Sequence, residues 1–264
     1  MSIVDSIAHE RLEAVTRRKR ERPESTLERL ASPPRASFDR SLPFALIAEC
    51  KRASPSRGVL LDDYDPAVLA RAYEGGGAAM ISVLTEPLHF LGDDAHLSSA
   101  REAVSLPVLR KDFIVDRYQI AESWAIGADL VLLIASLHDA ASLRRLTSLA
   151  HDRGMGVLLE VHDAVELERA RDSGADAIGI NARDLRDFSV DSSRAKALAG
   201  SLGEGYFMVA ESGMRAPSDA VAMLEAGFRG FLVGEALVAA ASPGEAAKAF
   251  VAALSSAHRP GGRR

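Results

Sequence analysis

Residues Leu130–Arg183 read LVLLIASLHDAASLRRLTSLAHDRGMGVLLEVHDAVELERARDSGADAIGINAR. This stretch alternates two patterns. Three short aliphatic runs, Leu130–Ser136, Gly156–His162 and Ala177–Arg183, are nearly continuous in Val, Ile, Leu and Ala, the signature of parallel strands covered on both faces. Between them, Ala140–Arg153 and Val165–Ser173 carry apolar residues at helical spacing, and Gly174-Ala175 supplies the glycine stop that ends a helix before the next strand. The same pattern extends outward in both directions. Upstream lie the runs Ala45–Lys51, Ala79–Thr85 and Pro107–Phe113, and downstream Tyr206–Ser212 and Gly230–Glu235, with Gly127-Ala128 and Gly227-Phe228 as further stops. Parallel strands need crossover helices, and eight of them close a sheet, so the expected fold is an α/β (β/α)8 TIM barrel. An open doubly wound sheet competes, but it usually has fewer strands and a glycine-rich first turn, and no G-x-G-x-x-G follows the first run.

The ends fall outside this repeat. Residues 1–40 hold an amphipathic helix at about Ile3–Arg20, then a Pro/Ser/Arg-rich link. They are expected to form an N-terminal helical extension, a lid or plug on the barrel's mouth or floor, with a partner-binding arm as the alternative. The barrel is assigned to 41–257, and His258–Arg264 is expected to be a disordered tail. The 264 residues leave room for one barrel, so no second barrel is expected in this polypeptide.

Composition narrows the function. With 47% hydrophobic and 26% charged residues the chain is an ordinary globular one, and its net charge of −5 argues against nucleic acid or anionic membrane as partners. No apolar run approaches the ~20 residues of a membrane span. The N-terminus is charged too early for a secretory signal. The single cysteine, Cys50, excludes an internal disulfide and a cysteine-built zinc site. A cytoplasmic protein, monomeric or homodimeric, is expected.

Barrel enzymes place their chemistry at the C-terminal ends of the strands. There the sequence puts Glu49 and Lys51 on one face of the first strand, Lys111 and Phe113 on the third, Glu160 on the fifth, Asn181 and Arg183 on the sixth and Glu211 on the seventh. Only five of the 32 basic residues are lysines, so two of them at strand ends are conspicuous. Converging charges in a barrel mouth are costly unless they pair with each other or meet a polar ligand. An ion-pair network without a ligand is the alternative, disfavoured because the set lies at the functional end of the fold and holds two of the five lysines. The last two strands end in Glu211-Ser212-Gly213-Met214 and Val233-Gly234-Glu235-Ala236, glycine turns at the two positions where this fold commonly binds phosphate. A phosphorylated small molecule is the expected ligand.

Other residues call for ordinary explanations. The seven histidines lack metal-ligand spacing and are expected to be solvated, so no metal is expected. Cys50 should point outward as an inert buried thiol. Asp62-Asp63 and Asp93-Asp94 are expected to cap helices, and Trp124 to lie in the core.

Several longer motifs resemble the indole-3-glycerol phosphate synthase family. They are IAECKRASPSRG (Ile47–Gly58), ISVLTEPLHFLGD (Ile81–Asp93), PVLRKDFIVDRYQIAESWAIGAD (Pro107–Asp129), LLEVHD (Leu158–Asp163), IGINARDL (Ile178–Leu185), VAESGM (Val209–Met214) and FLVGEALV (Phe231–Val238). They run in the family's order over about residues 40 to 240. Two positions depart from the usual pattern: Cys50 for an aliphatic, and Ala182 where Asn or Ser is common. The resemblance implies decarboxylating ring closure of 1-(2-carboxyphenylamino)-1-deoxyribulose 5-phosphate to indole-3-glycerol phosphate, carbon dioxide and water, in tryptophan biosynthesis, without metal or organic cofactor. It further implies Lys111 as general acid, Glu160 in the dehydration and Lys51 as second cation. Glu49 and Asn181 would orient these groups and the substrate hydroxyls, with Glu211 completing the polar ring. Ser212, Gly213, Gly234 and Glu235 (through its backbone N–H) would hold the phosphate, Ser54 would close the loop after the first strand, and Arg183 would anchor the mouth. Phe90, Phe113 and Leu132 are candidates for an aromatic slot.

Three other readings stay open on the residues alone. Phosphoribosylanthranilate isomerase would need a Cys/Asp acid–base pair. A Schiff-base aldolase would use Lys111 or Lys51 as a nucleophile. A catalytically dead barrel could sense a phosphorylated metabolite.

Overall fold

The eight runs form eight parallel strands: β1 (Ala45–Cys50), β2 (Met80–Leu84), β3 (Val108–Lys111), β4 (Leu130–Ile134), β5 (Gly156–Val161), β6 (Ala177–Asn181), β7 (Met208–Glu211) and β8 (Gly230–Val233). The computed structural model describes residues 3–30, 32–35, 39–184, 189–203 and 205–258. The sheet closes because β1 pairs on one side with β2, Ile47 opposite Met80, and on the other with β8, Ala45 opposite Gly230. This is a (β/α)8 barrel. The strands alternate as a barrel requires. Ala45, Ile47, Leu109, Leu130, Leu132, Leu158, Val209 and Leu232 fill the interior, while Leu46, Ala48, Cys50, Val131, Leu133, Val157 and Leu159 pack under the helices.

Aspartates start five of the helices. Asp65, Asp93, Asp139, Asp163 and Asp191 each accept a backbone N–H from the first turn of α2 (Pro66–Gly75), α3 (Asp94–Ala103), α5 (Ala140–His151), α6 (Ala164–Arg171) and α7 (Ser192–Leu202), the N-cap bond that satisfies otherwise orphaned donors. Past the helix ends, Gly127 and Gly174 take φ of 88° and 78°, which a side chain would strain. Between α3 and α5 runs α4 (Tyr118–Ala125); α8 (Pro217–Glu225), the short α9 (Glu235–Val238) and α10 (Pro243–Ala257) complete the outer ring.

The observed strands stop one or two residues before the runs read from the sequence, so Phe113, His162, Arg183 and Ser212 lie in the loops that form the mouth. The segment after β1 folds back as an antiparallel pair, Ala53–Ser54 against Gly58–Val59, which the sequence reading did not anticipate. Asp93 caps a helix as expected, but Asp62 and Asp63 do not; Asp65 takes that place, and Asp94 pairs with Arg110 at 2.6 Å. Trp124 is half-buried against the outer core, not enclosed by it. Of the tail expected to be disordered, residues 259–264 lie outside the described residues.

The extension helix α1 (Ile3–Glu21) lies on the mouth, not the floor. Its Val4 and Ile7 pack into the interior cluster that includes Phe113. Arg11 grips Asp112 with both arms of its guanidinium, Nε donating to Oδ1 at 2.9 Å and a second nitrogen to Oδ2, and both residues are buried. Arg18 and Lys19 reach Glu122 and Asp116 at 3.0 and 2.6 Å. Among the described residues no helix is long and apolar enough to cross a membrane.

Candidate active site

Inward-facing residues at the strand ends carry the polar groups. Lys111 leaves the end of β3 and sets its Nζ 3.1 Å from Glu160 Oε2 on β5 and 3.3 Å from Glu211 Oε2 on β7. Asn181, at the end of β6, donates from Nδ2 to Glu160 Oε1 at 3.0 Å, and its own Oδ1 accepts the Arg183 backbone N–H at 3.0 Å. Just past β1, Lys51 sets its Nζ 3.0 Å from Oε1 of Glu49 on that strand. Glu49, Glu160 and Glu211 are buried to within a few per cent of full enclosure.

Burial alone would favour neutral forms of all these groups, so their charges depend on their partners. For Lys111 burial is overcome by Glu160, Glu211 and Glu49, and its pKa is raised above the usual lysine value. Glu160 is desolvated too, but Lys111, His162 and Asn181 prevail and hold it well below the ordinary carboxylate range. Glu211 goes the other way: burial and then the charge of Glu160 push its pKa up, so of the two carboxylates it is the readier to hold a proton. Lys51 thus pairs with Glu49, and Lys111 with Glu160. A Schiff-base role needs a neutral amine, which this surrounding denies Lys111.

Two glycines make room for these carboxylates. A Cβ at Gly179 would stand 2.0 Å from Glu211 Oε1, and one at Gly234 would stand 2.5 Å from Glu49 Oε1. The cleft above has an apolar slot at one end, lined by Leu84, Phe90, Phe113, Leu132 and Ile134. There the rings of Phe90 and Phe113 lie 6.3 Å apart, and Lys51 Nζ sits 5.9 Å from the Phe90 ring centroid. At the other end are the turns after β7 and β8, with Ser212, Gly213, Gly234 and Glu235, joined by Ser56, Arg57 and Arg215. Ser212 and Gly213 both have positive φ, 63° and 78°, so the chain makes a tight left-handed turn there.

Every residue singled out from the sequence for the site borders this one cleft. Ser54 sits at the slot and not with the glycine turns; Ser56 and Arg57 from the same loop reach those turns instead. Glu235 brings a carboxylate as well as its backbone, 3.5 Å from Arg183. Cys50 points outward, buried, its thiol pushed up by desolvation, and Ala182 is buried in the same outer layer. The expectation of solvated histidines fails at His162, which is largely buried between Glu160 and Glu166, 3.1 and 3.0 Å away. Gly179, Arg57 and His162 were missed, although all three stand inside the quoted motifs, and Gly179 lies two residues before Asn181 on the same face. Among the described residues no three His, Cys, Asp or Glu side chains are arranged to hold a metal ion.

A sequence model described as indole-3-glycerol phosphate synthase matches residues 4–250. The chain belongs to the indole-3-glycerol phosphate synthase family. Among its curated relatives, indole-3-glycerol phosphate synthase 2 of Streptomyces coelicolor is 49% identical over 240 residues, covering 89% of this chain and 93% of its own length. The enzyme of the same family name from Carboxydothermus hydrogenoformans is 48% identical over 208 residues, covering 78% of this chain and 79% of that one. Similar solved structures include 3-hexulose-6-phosphate synthase, at a TM-score of 0.66 and 18% identity over 80% of this chain and 99% of that one, which shows the shared barrel. Against the family, the Lys111–Glu160–Glu211 cluster belongs to the segments Pro107–Asp129, Leu158–Asp163 and Val209–Met214 from which the resemblance was drawn.

Proposed function

We propose that the chain is an indole-3-glycerol phosphate synthase, converting 1-(2-carboxyphenylamino)-1-deoxyribulose 5-phosphate to indole-3-glycerol phosphate, carbon dioxide and water. One observation carries this reading beyond family membership: a lysine held between two buried glutamates, at the floor of a cleft with an apolar slot at one end and a phosphate-type turn at the other. The substrate has this layout, an aromatic ring and a phosphate joined by a keto chain.

The phosphate would take the N–H groups of the Ser212-Gly213 and Gly234-Glu235 turns and the Ser212 hydroxyl, with Arg57 and Arg183 supplying positive charge. The carboxyphenyl ring would enter the slot between Phe90, Phe113 and Leu132, with Lys51 near its carboxylate. Held so, the ring carbon bearing the carboxylate attacks the ketone carbon. A carbon–carbon bond forms as the carbonyl π electrons move to oxygen, where Lys111 supplies the proton. The bond to the carboxylate then breaks, carbon dioxide leaves, and the electron pair returns to the ring. In dehydration the carbon–oxygen bond breaks as the new hydroxyl takes a proton from the second cation, Lys51, and departs as water, while the Glu160 carboxylate takes the proton lost from the adjoining carbon and the electron pair of that bond forms the ring double bond. Glu49, Asn181 and Glu211 orient these groups.

Residues 41–257 serve as the catalytic barrel and residues 1–40 as its extension, whose helix Ile3–Glu21 clasps the mouth. The enzyme would act in the cytoplasm as a monomer or homodimer, without a nucleic-acid or membrane partner. Indole fluorescence from purified protein and substrate, with chelator present, tests the function. A signal lost in Lys111→Ala establishes the reaction and its acid; binding without turnover would leave a sensor of the phosphorylated metabolite.

A further inference from the structure

Glu160 and Glu211 approach Lys111 from two strands at nearly equal distance, 3.1 and 3.3 Å. Two like carboxylates on one ammonium cannot both stay ionised cheaply in a buried site. Their other oxygens differ. Glu211 Oε1 is buried with no hydrogen-bond partner among the described residues. Glu160 Oε1 accepts from Asn181 and lies 3.1 Å from His162 Nε2, a contact that lacks hydrogen-bond geometry, so the imidazole acts on this oxygen through its charge.

His162 does not line the cleft; it stands behind Glu160, one residue past the end of β5. Its ring is fixed from the far side. Glu166, in the first turn of α6, accepts both the His162 backbone N–H at 2.8 Å and ring Nδ1 at 3.0 Å. The Glu166 backbone is itself held by the cap, its N–H donating to Asp163 Oδ1 at 2.8 Å. Glu160 from β5 and Glu166 from α6 are the charges facing the ring, and across Glu160 stand Lys111 from β3 and Glu211 from β7. With only 13% of the side chain exposed, burial favours the neutral ring, but the two carboxylates outweigh it and hold the imidazole up to about 10.

We propose that His162 is a positioning residue for the reaction: clamped by Glu166, it makes Glu160, and not Glu211, the carboxylate that serves as base beside Lys111. Without the imidazolium only Asn181 is left to favour Glu160 as the anion, and a proton is more readily shared between Glu160 and Glu211. The base is then absent for part of the time although every group touching substrate remains. The inference rests on the synthase reading.

The experiment is steady-state kinetics from about pH 5.5 to 9 on the full chain and on His162→Phe, His162→Asn and Glu166→Gln. His162→Phe should lower kcat about tenfold or more at neutral pH with KM within about threefold, and should move the acid limb of the kcat profile upward. His162→Asn, which is polar but brings no charge behind Glu160, should recover little of the loss. Glu166→Gln should show a smaller shift of the same sign, and it carries the test if His162→Phe does not fold. Unchanged kcat and profile overturn the proposal, and so does a loss of kcat with an unmoved profile, which would mean packing alone. If the parent itself makes no indole product, the synthase reading fails. The clamp is still read by NMR titration of the His162 ring in the ligand-free protein: protonation persisting beyond about pH 8 supports it, and titration near the ordinary value of about 6.5 overturns it.

Discussion

The β6 glycine Gly179 and the β7 glutamate Glu211 share one volume: a Cβ on the first would stand 2.0 Å from Oε1 of the second. The strand lacks a side chain there because its neighbour's carboxylate crosses that space to reach Lys111. Gly179→Ala should therefore act as an active-site mutation made from a position with no functional group. It must displace Glu211 from Lys111 or push β6 from β7. We expect kcat to fall about 10²-fold with stability lowered by about 1–3 kcal/mol, the usual cost of overpacking. Parallel kinetics and denaturant unfolding check it; a variant with parental kcat would mean that Glu211 can leave its place without consequence.

Lys111→Ala should lower kcat by about 10²–10⁴-fold, the range for loss of a general acid, with the affinity for the phosphorylated substrate largely kept. The ammonium touches Glu160 and Glu211, and the phosphate turns lie on other strands, so the two effects are separable. Single-turnover fluorescence with a separate binding titration distinguishes them. Near-normal turnover would remove Lys111 from the acid role.

Ser212→Ala should show the converse pattern, KM rising about tenfold and more than kcat falls, since a hydrogen bond to a charged group contributes about 1.5–3 kcal/mol. The backbone there has φ 63°, so Ser212→Gly loses the hydroxyl but relieves the left-handed strain. The two variants should have similar KM, with Ser212→Gly the more stable. A kcat effect larger than the KM effect in both would place the phosphate elsewhere.

Most of the barrel and its mouth could be read along the chain because each strand writes its inward and outward residues locally. Lys111 and Glu160 stood out as charges at the ends of aliphatic runs. The strand ends were read one or two residues too long because side chains such as Phe113 and Ser212 keep alternating after the ladder has stopped. What could not be read depends on meetings across the sequence. Gly179 owes its identity to a carboxylate on the next strand, and His162 to a glutamate that turns back from the following helix. The seat of α1 is fixed by Arg11 on Asp112, 101 residues away; its place between Ile7 and Val15 on the apolar face marks it locally, but its partner cannot be read from that spacing.

That last pair predicts how the extension responds to pH. Asp112 is fully buried, yet Arg11 and Arg110 hold its carboxyl down to about 2, against an ordinary 3.8. A carboxyl depressed in the folded state contributes stability that is present above its unfolded value and lost as pH falls through its folded one. The contribution here is about 2 kcal/mol near neutrality and about half that near pH 3. Arg11→Met removes one of the two cations and leaves the carboxylate half-paired in a dry site. Breaking a buried ion pair costs about 3–5 kcal/mol, so the variant should unfold well below the parent at pH 7. Because other carboxylates titrate alike in both proteins, the gap in Tm should stay constant down to about pH 5 and narrow below about pH 4 as Asp112 takes up its proton. Thermal unfolding of the two proteins across that range measures it. A gap that persists unchanged to pH 3 would mean that Arg11 holds α1 by packing of its stem and not by its charge.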